Sequence, residues 1–303
     1  MTVVPVFVMA LVLFGTGVAQ AQVRGAYPLG MSATNAGVTP EPGFSYAQQL
    51  LFYPRDEMRG ADGSVVDTGH QSVILSMHSV VFVKATERLG GVRFSMSATL
   101  PIANNALTSD TVGAISGGGG FGDSYYQPFI LGWQRKRAGI RAVYGFLAPT
   151  GGFEAGAISN VGSGYWTHVV SSGQTVYLNA SQTIGVSAFQ MYEFHTTQEG
   201  TGIQPGQTMN LDYSVTRTFS PRDDLRVQVG VVGYGQWQTT DKGGPGVTAA
   251  QAASRYAVNA LGLSAAVVLP ARQVSVGFKY FKEFSNRSTL QGHSTQVSST
   301  IGF

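Results

Sequence analysis

The chain has 303 residues, a formal net charge of +3, 12% charged and 43% apolar residues, 40 glycines and no cysteine. The absence of cysteine excludes a disulfide framework and a thiolate metal site, and the weak, dispersed positive charge gives no footprint for nucleic acid. Charge this far below the usual quarter, without a second run of ~18 apolar residues, fits the scattered, alternating apolarity of a membrane barrel rather than membrane helices.

Val3 to Val18 is an apolar run followed by Ala19-Gln20-Ala21, a small-x-small cleavage site. Residues 1–21 therefore read as a signal peptide cut after Ala21, although residues 2–21 carry no Lys or Arg. Residues 22–43 hold Pro28, Pro40 and Pro42 with four glycines and no strand period. They read as an irregular periplasmic N-terminal segment that becomes a plug if it tucks into the barrel.

From Phe44 onward the chain alternates between strands and connections. Strands are expected near 44–53, 71–85, 90–101, 124–136, 138–149, 163–178, 183–195, 206–219, 224–238, 254–269, 273–285 and 293–303, about twelve in all. Connections near 86–89, 137, 179–182, 220–223 and 270–272 are short. Those near 54–70, 102–123, 150–162, 196–205, 239–253 and 286–292 are long. Such alternation is expected of an all-β, transmembrane antiparallel barrel with tight periplasmic turns and long outer loops. The domain plan is a signal peptide (1–21), the N-terminal segment (22–43) and a barrel over 44–303.

The best strands show two faces. Met209, Leu211, Tyr213 and Val215 alternate with Asn210, Asp212, Ser214 and Thr216; Val92, Phe94, Met96 and Ala98 alternate with Arg93, Ser95 and Ser97. The apolar face is assigned to lipid, because an unpaired charge there at mid-bilayer costs about 2–4 kcal/mol. Strands 124–136, 163–178 and 254–269 show no clean faces. The last stretch puts Val297, Ile301 and the terminal Phe303 on one face, as expected of a strand that closes the barrel and presents an interfacial aromatic.

Several pieces together resemble a known family. They are Ala26-Tyr27-Pro28-Leu29-Gly30, Pro40-Glu41-Pro42-Gly43-Phe44, Pro149-Thr150-Gly151-Gly152-Phe153, Gly233-Tyr234-Gly235-Gln236-Trp237 and Lys279-Tyr280-Phe281-Lys282-Glu283-Phe284. In order and spacing they are similar to the outer-membrane transporter-like group named after the meta-pathway of phenol degradation, itself related to hydrophobic-compound and fatty-acid transporter barrels. The resemblance implies a barrel in the bacterial outer membrane that takes up hydrophobic or aromatic molecules. It brings no agreed ligand residues. The expected partners are outer-membrane lipid, the barrel-assembly machinery through the C-terminal strand, and a small hydrophobic or aromatic ligand; no cofactor or metal is expected.

His78, His168 and His195 fall on different strands, without the spacing of a zinc motif. Asp223-Asp224 sits in a turn, Gly117 to Gly120 lacks the lysine of a phosphate loop, and no nucleophile elbow is present, so no catalytic set is expected. The residues expected to face the lumen and line a substrate path are Arg93, Arg141, Glu193, Asp212, Arg226, Tyr234, Lys279, Phe281 and Glu283, with Lys84 and Phe189. The most direct reading is passive uptake of small hydrophobic or aromatic compounds. The alternatives are a structural or adhesive barrel and a barrel enzyme acting on lipid.

Overall fold

A computed structural model describes residues 24–85, 91–111 and 113–303. The signal-peptide reading, with Ala19 and Ala21, and the turn near 86–89 lie outside the described residues. The strands are β1 (Gly43–Arg59), β2 (Val65–Ala85), β3 (Arg93–Ser109), β4 (Gly113–Phe121), β5 (Ser124–Arg135), β6 (Ala138–Ala148), β7 (Thr167–Tyr177), β8 (Ile184–His195), β9 (Thr208–Arg222), β10 (Leu225–Gln238), β11 (Ala257–Leu269), β12 (Val274–Glu283) and β13 (Thr289–Gly302). Each pairs antiparallel with its sequence neighbour except around β4. The ends join through β13 and β1, where Val297 faces Leu50 and Ile301 faces Tyr46; the Phe303 amide donates to Phe44 O at 2.9 Å. β4 and β5 occupy the upper and lower halves of one position beside β3, so the wall is a closed barrel of 12 strands.

Closure leaves no edge in lipid. Outside, Ile74, Leu100, Val215, Val231, Leu263 and Phe278 are exposed. In water such a surface would be a liability; in a bilayer it is the contact. Aromatic groups flank the band, with Phe44 packed on Phe82 (4.8 Å between ring centroids) at one rim and Phe146 between Tyr126 (5.4 Å) and Trp166 (5.9 Å) at the other. Arg217 lies near the periplasmic end with its guanidinium 5.0 Å from the Phe219 ring centre, close to an interface that a long cation reaches by snorkelling.

The outer side differs from expectation. Residues 54–70 and 102–123, read as long loops, are mostly strand. A strand of 21 residues such as β2 is about twice the 9–11 residues a crossing needs. The β1–β2 and β3–β4 hairpins therefore continue beyond the membrane, where their faces need not be apolar, and the apolar alternation stops before the strand does. Gly117 to Gly120, read as a loop tip, lies in β4, with the Gly117 amide donating to Ile158 O at 2.9 Å. The β1–β2 turn is closed by Asp62, whose carboxylate accepts the Ser64 amide at 2.9 Å, and by Gly63 at φ 85°.

Candidate functional site: the lumen and the segment inside it

Register fixes which side chains face inward. Asp212 on β9 stands opposite Tyr234 on β10 and Phe189 on β8; Glu283 on β12 stands opposite Ala260 on β11. These inward residues are almost fully buried: Glu193, Asp212 and Phe281 are 0% exposed. A charge in such a place must be matched. The matching groups come from residues 24–41.

The chain meets the inside of the wall from the outer end downward. Arg24 pairs with Glu283 (Nη1 to Oε1, 2.9 Å) and donates through Nε to Thr289 Oγ1 at 3.1 Å. Tyr53 joins this cluster by hydrogen bonds to Arg24 and Glu283. Glu193 accepts the amides of Ala26 (2.6 Å) and Tyr27 (3.1 Å) and is held by Asn210 Nδ2 at 2.7 Å. Asp212 accepts the Tyr27 hydroxyl (2.6 Å) and the amides of Gly30 (3.0 Å) and Ser32 (3.1 Å). Lys279 donates to the carbonyls of Gly30 (2.9 Å) and Met31 (2.7 Å), and Gln296 to Leu29 O at 2.7 Å. Further down, the Gly37 amide donates to Thr175 Oγ1 (3.0 Å), and Gln134 Nε2 donates to Gly37 O (2.8 Å). At the periplasmic end Arg93 donates to Pro40 O (3.0 Å) and pairs with Glu41 (2.9 Å).

A segment bonded to β1, β3, β5, β7, β8, β9, β12 and β13 of one closed ring lies within that ring. Only its last residues sit at the periplasmic mouth. The reason is chemical: a segment with proline and glycine but no regular structure leaves backbone amides and carbonyls unpaired, and the wall supplies carboxylates, a lysine and amides to meet them. Packing adds to this. Leu29 and Ala33 join Val232, Tyr234, Val258, Ala260 and Phe281 in one buried cluster, and Ala36 joins Val169, Phe189 and Met191 in another. Gly30 is required twice over, since its φ is 82° and a Cβ there would run into the Phe281 ring.

All nine residues of the expected path lie on the inward face, but not in one place. Glu193, Asp212, Lys279 and Glu283 seat the segment. Tyr234 and Phe281 pack ring to ring at 4.8 Å between centroids. Arg93 holds the foot of the segment, Arg226 is exposed at the periplasmic end of β10, and Arg141 stands apart on β6. Lys84 pairs with Phe94 on the outward face, so its expected lumenal position is incorrect; near the end of β2 its ammonium reaches the interface instead. His195 is buried, with Nδ1 at 2.9 Å from Thr167 Oγ1. His78 and His168 face outward against Tyr46 and Tyr144. Arg24, Tyr27, Tyr53, Arg55 and Gln296 were not singled out. For Asn210 and Gln236 the signal was available: both share the polar parity of Asp212 and Tyr234.

The other half of the lumen differs in kind. None of the seating bonds above involves β2. Its inward residues Val73, Leu75, Met77, Val81 and Val83 are apolar, and Leu75 stands between Leu51 on β1 and Ala103 on β3. Val73, Leu75, Val81, Pro101 and Ala103 are partly exposed, whereas the inward face of β8–β10 is closed by the segment. Ser79, bonded to Thr99 at 2.8 Å, interrupts this inward run, and on the lipid side His78 stands among Ile74, Val80 and Phe82.

A closed antiparallel wall, an apolar outer band with aromatic rims and an occupied lumen define a bacterial outer-membrane β-barrel. Residues 55–298 match the family described as "Putative MetA-pathway of phenol degradation", and the chain belongs to that family. None of the curated proteins matches the chain. Among solved structures, the COG4313 outer membrane channel of Pseudomonas putida F1 is similar in fold, with a TM-score of 0.72 at 10% identity over 89% of this chain and 98% of that one. The β domain of the Bordetella autotransporter BrkA follows at 0.54 and 11% identity, over 87% of this chain and all of that one (100%).

Proposed function

We propose that the barrel admits small hydrophobic or aromatic compounds passively, through a passage between the inward face of β1–β3 and the segment 24–42, which narrows the lumen as a plug. The observation that carries the reading is the partly exposed apolar strip of Val73, Leu75, Val81, Pro101 and Ala103 inside a wall whose other half is covered by the segment. A hydrophilic pore has no use for such a strip. An apolar solute leaving water gains about 25 cal/mol for each Å² it buries there. The family's tie to phenol degradation supports aromatic solutes.

The test compares cells lacking the protein with complemented cells, following labelled phenol-like and fatty-acid-like compounds at low concentration. Complementation should speed entry of at least one class. Equal uptake with the protein present in the outer membrane would sink the reading and favour a structural role for the projecting hairpins.

A further inference from the structure

Charge inside the barrel does not balance. Glu193, Asp212 and Glu283 are each engaged by donors from the segment, and Arg93 is matched by Glu41. Arg141 is matched by nothing among the described residues: no hydrogen bond or ion pair engages its guanidinium, and its buried Nε has no partner. It faces inward on β6, opposite Gly132 and Gly173, with the Ile130–Val143 pair next along the same face. Its side chain is partly exposed. Arg55 repeats the pattern at the outer end. It is 7% exposed, its Nε is unpartnered, and it lies 4.3 Å from the Tyr53 ring centre beside a Glu283 already paired with Arg24.

Arginine cannot discharge itself by losing a proton, and a partly desolvated charge without a partner is costly. A carboxylate meets its forked donors two at a time. We propose that Arg141 is an anion-recognising residue of the passage, and that the favoured solutes are small amphiphilic monoanions with an apolar body and one carboxylate. The proposal rests on the uptake reading above and names its substrate class. The apolar strip of β2 and β3 takes the body, while Arg141 draws the carboxylate toward the periplasmic third of the lumen.

Two readouts test this. In cells carrying wild type, R141Q or R141K, uptake of labelled octanoate and 1-octanol is compared at equal amounts of folded barrel. R141Q should slow octanoate about tenfold and leave 1-octanol unchanged, and R141K should retain most octanoate uptake. Unchanged octanoate uptake in R141Q, or an equal fall for both compounds, overturns the proposal. If neither compound enters faster than in cells lacking the barrel, the uptake reading fails instead. The second readout then decides on its own. In planar bilayers under a potassium chloride gradient, R141Q should shift the reversal potential toward cation selectivity, and no shift overturns anion recognition.

Discussion

Replacing Asp212 and Glu193 together by alanine is expected to raise single-channel conductance several-fold and to make the current unsteady. These carboxylates accept five hydrogen bonds from residues 26–32. A hydrogen bond to a charged group contributes about 1.5–3 kcal/mol, so losing both acceptors removes most of what holds the middle of the segment. Lys279 on the carbonyls of Gly30 and Met31 and Gln296 on that of Leu29 would remain, so the middle of the segment would be left with three side-chain bonds while its two ends stay anchored. The wall is unaffected, because both side chains point away from the strand–strand bonds. Deleting residues 25–40 should act in the same direction and further. Wild-type conductance in both variants would show that the segment does not limit the pore.

Glu283→Ala should have the largest effect on stability. The carboxylate lies beside two buried guanidiniums, Arg24 and Arg55, and accepts from Tyr53, Tyr234 (3.2 Å), Asn286 (3.0 Å) and the Gly292 amide (2.9 Å). Its removal strands two positive charges in a closed site. Breaking a buried pair this way costs about 3–5 kcal/mol, read as the shift in urea unfolding of the barrel in lipid vesicles. Because the cluster ties β12 and β13 to Tyr53 on β1, the loss falls on the seam where the barrel closes. A shift under about 1 kcal/mol would mean that water already reaches the cluster.

How much of this could be read from the chain depended on local chemistry. β9 and β10 were plain because their two faces differ at nearly every step, as with Asn210, Asp212 and Ser214 against Leu211, Tyr213 and Val215. β7 was not, because polar side chains occupy both faces. Ser172, Gln174 and Gln190 face outward and satisfy one another, with Ser172 donating to Gln190 at 2.9 Å and Gln174 to Ser172 at 3.0 Å. β11 failed for the opposite reason: Val258 and Ala260 inside are as apolar as Leu261 and Leu263 outside. In β5 a bulge between Tyr126 and Phe129 breaks the count of two. The inward acids were legible as positions on a face. Their partners in residues 24–32 were not, since bonds such as Arg24–Glu283 span 259 positions of sequence and leave no local period.

The most direct measurement is uptake of a labelled phenol-like compound by cells whose barrel carries Leu75→Arg and Val81→Arg. These changes place two charges on the partly exposed inward face of β2 and remove none of the bonds that seat the segment. Uptake should fall to the level of cells without the protein, while the variant stays folded in the outer membrane and resists unfolding by heat in detergent as the wild type does. Uptake that stays at the wild-type rate would contradict the account, because solutes would then cross without using the apolar strip.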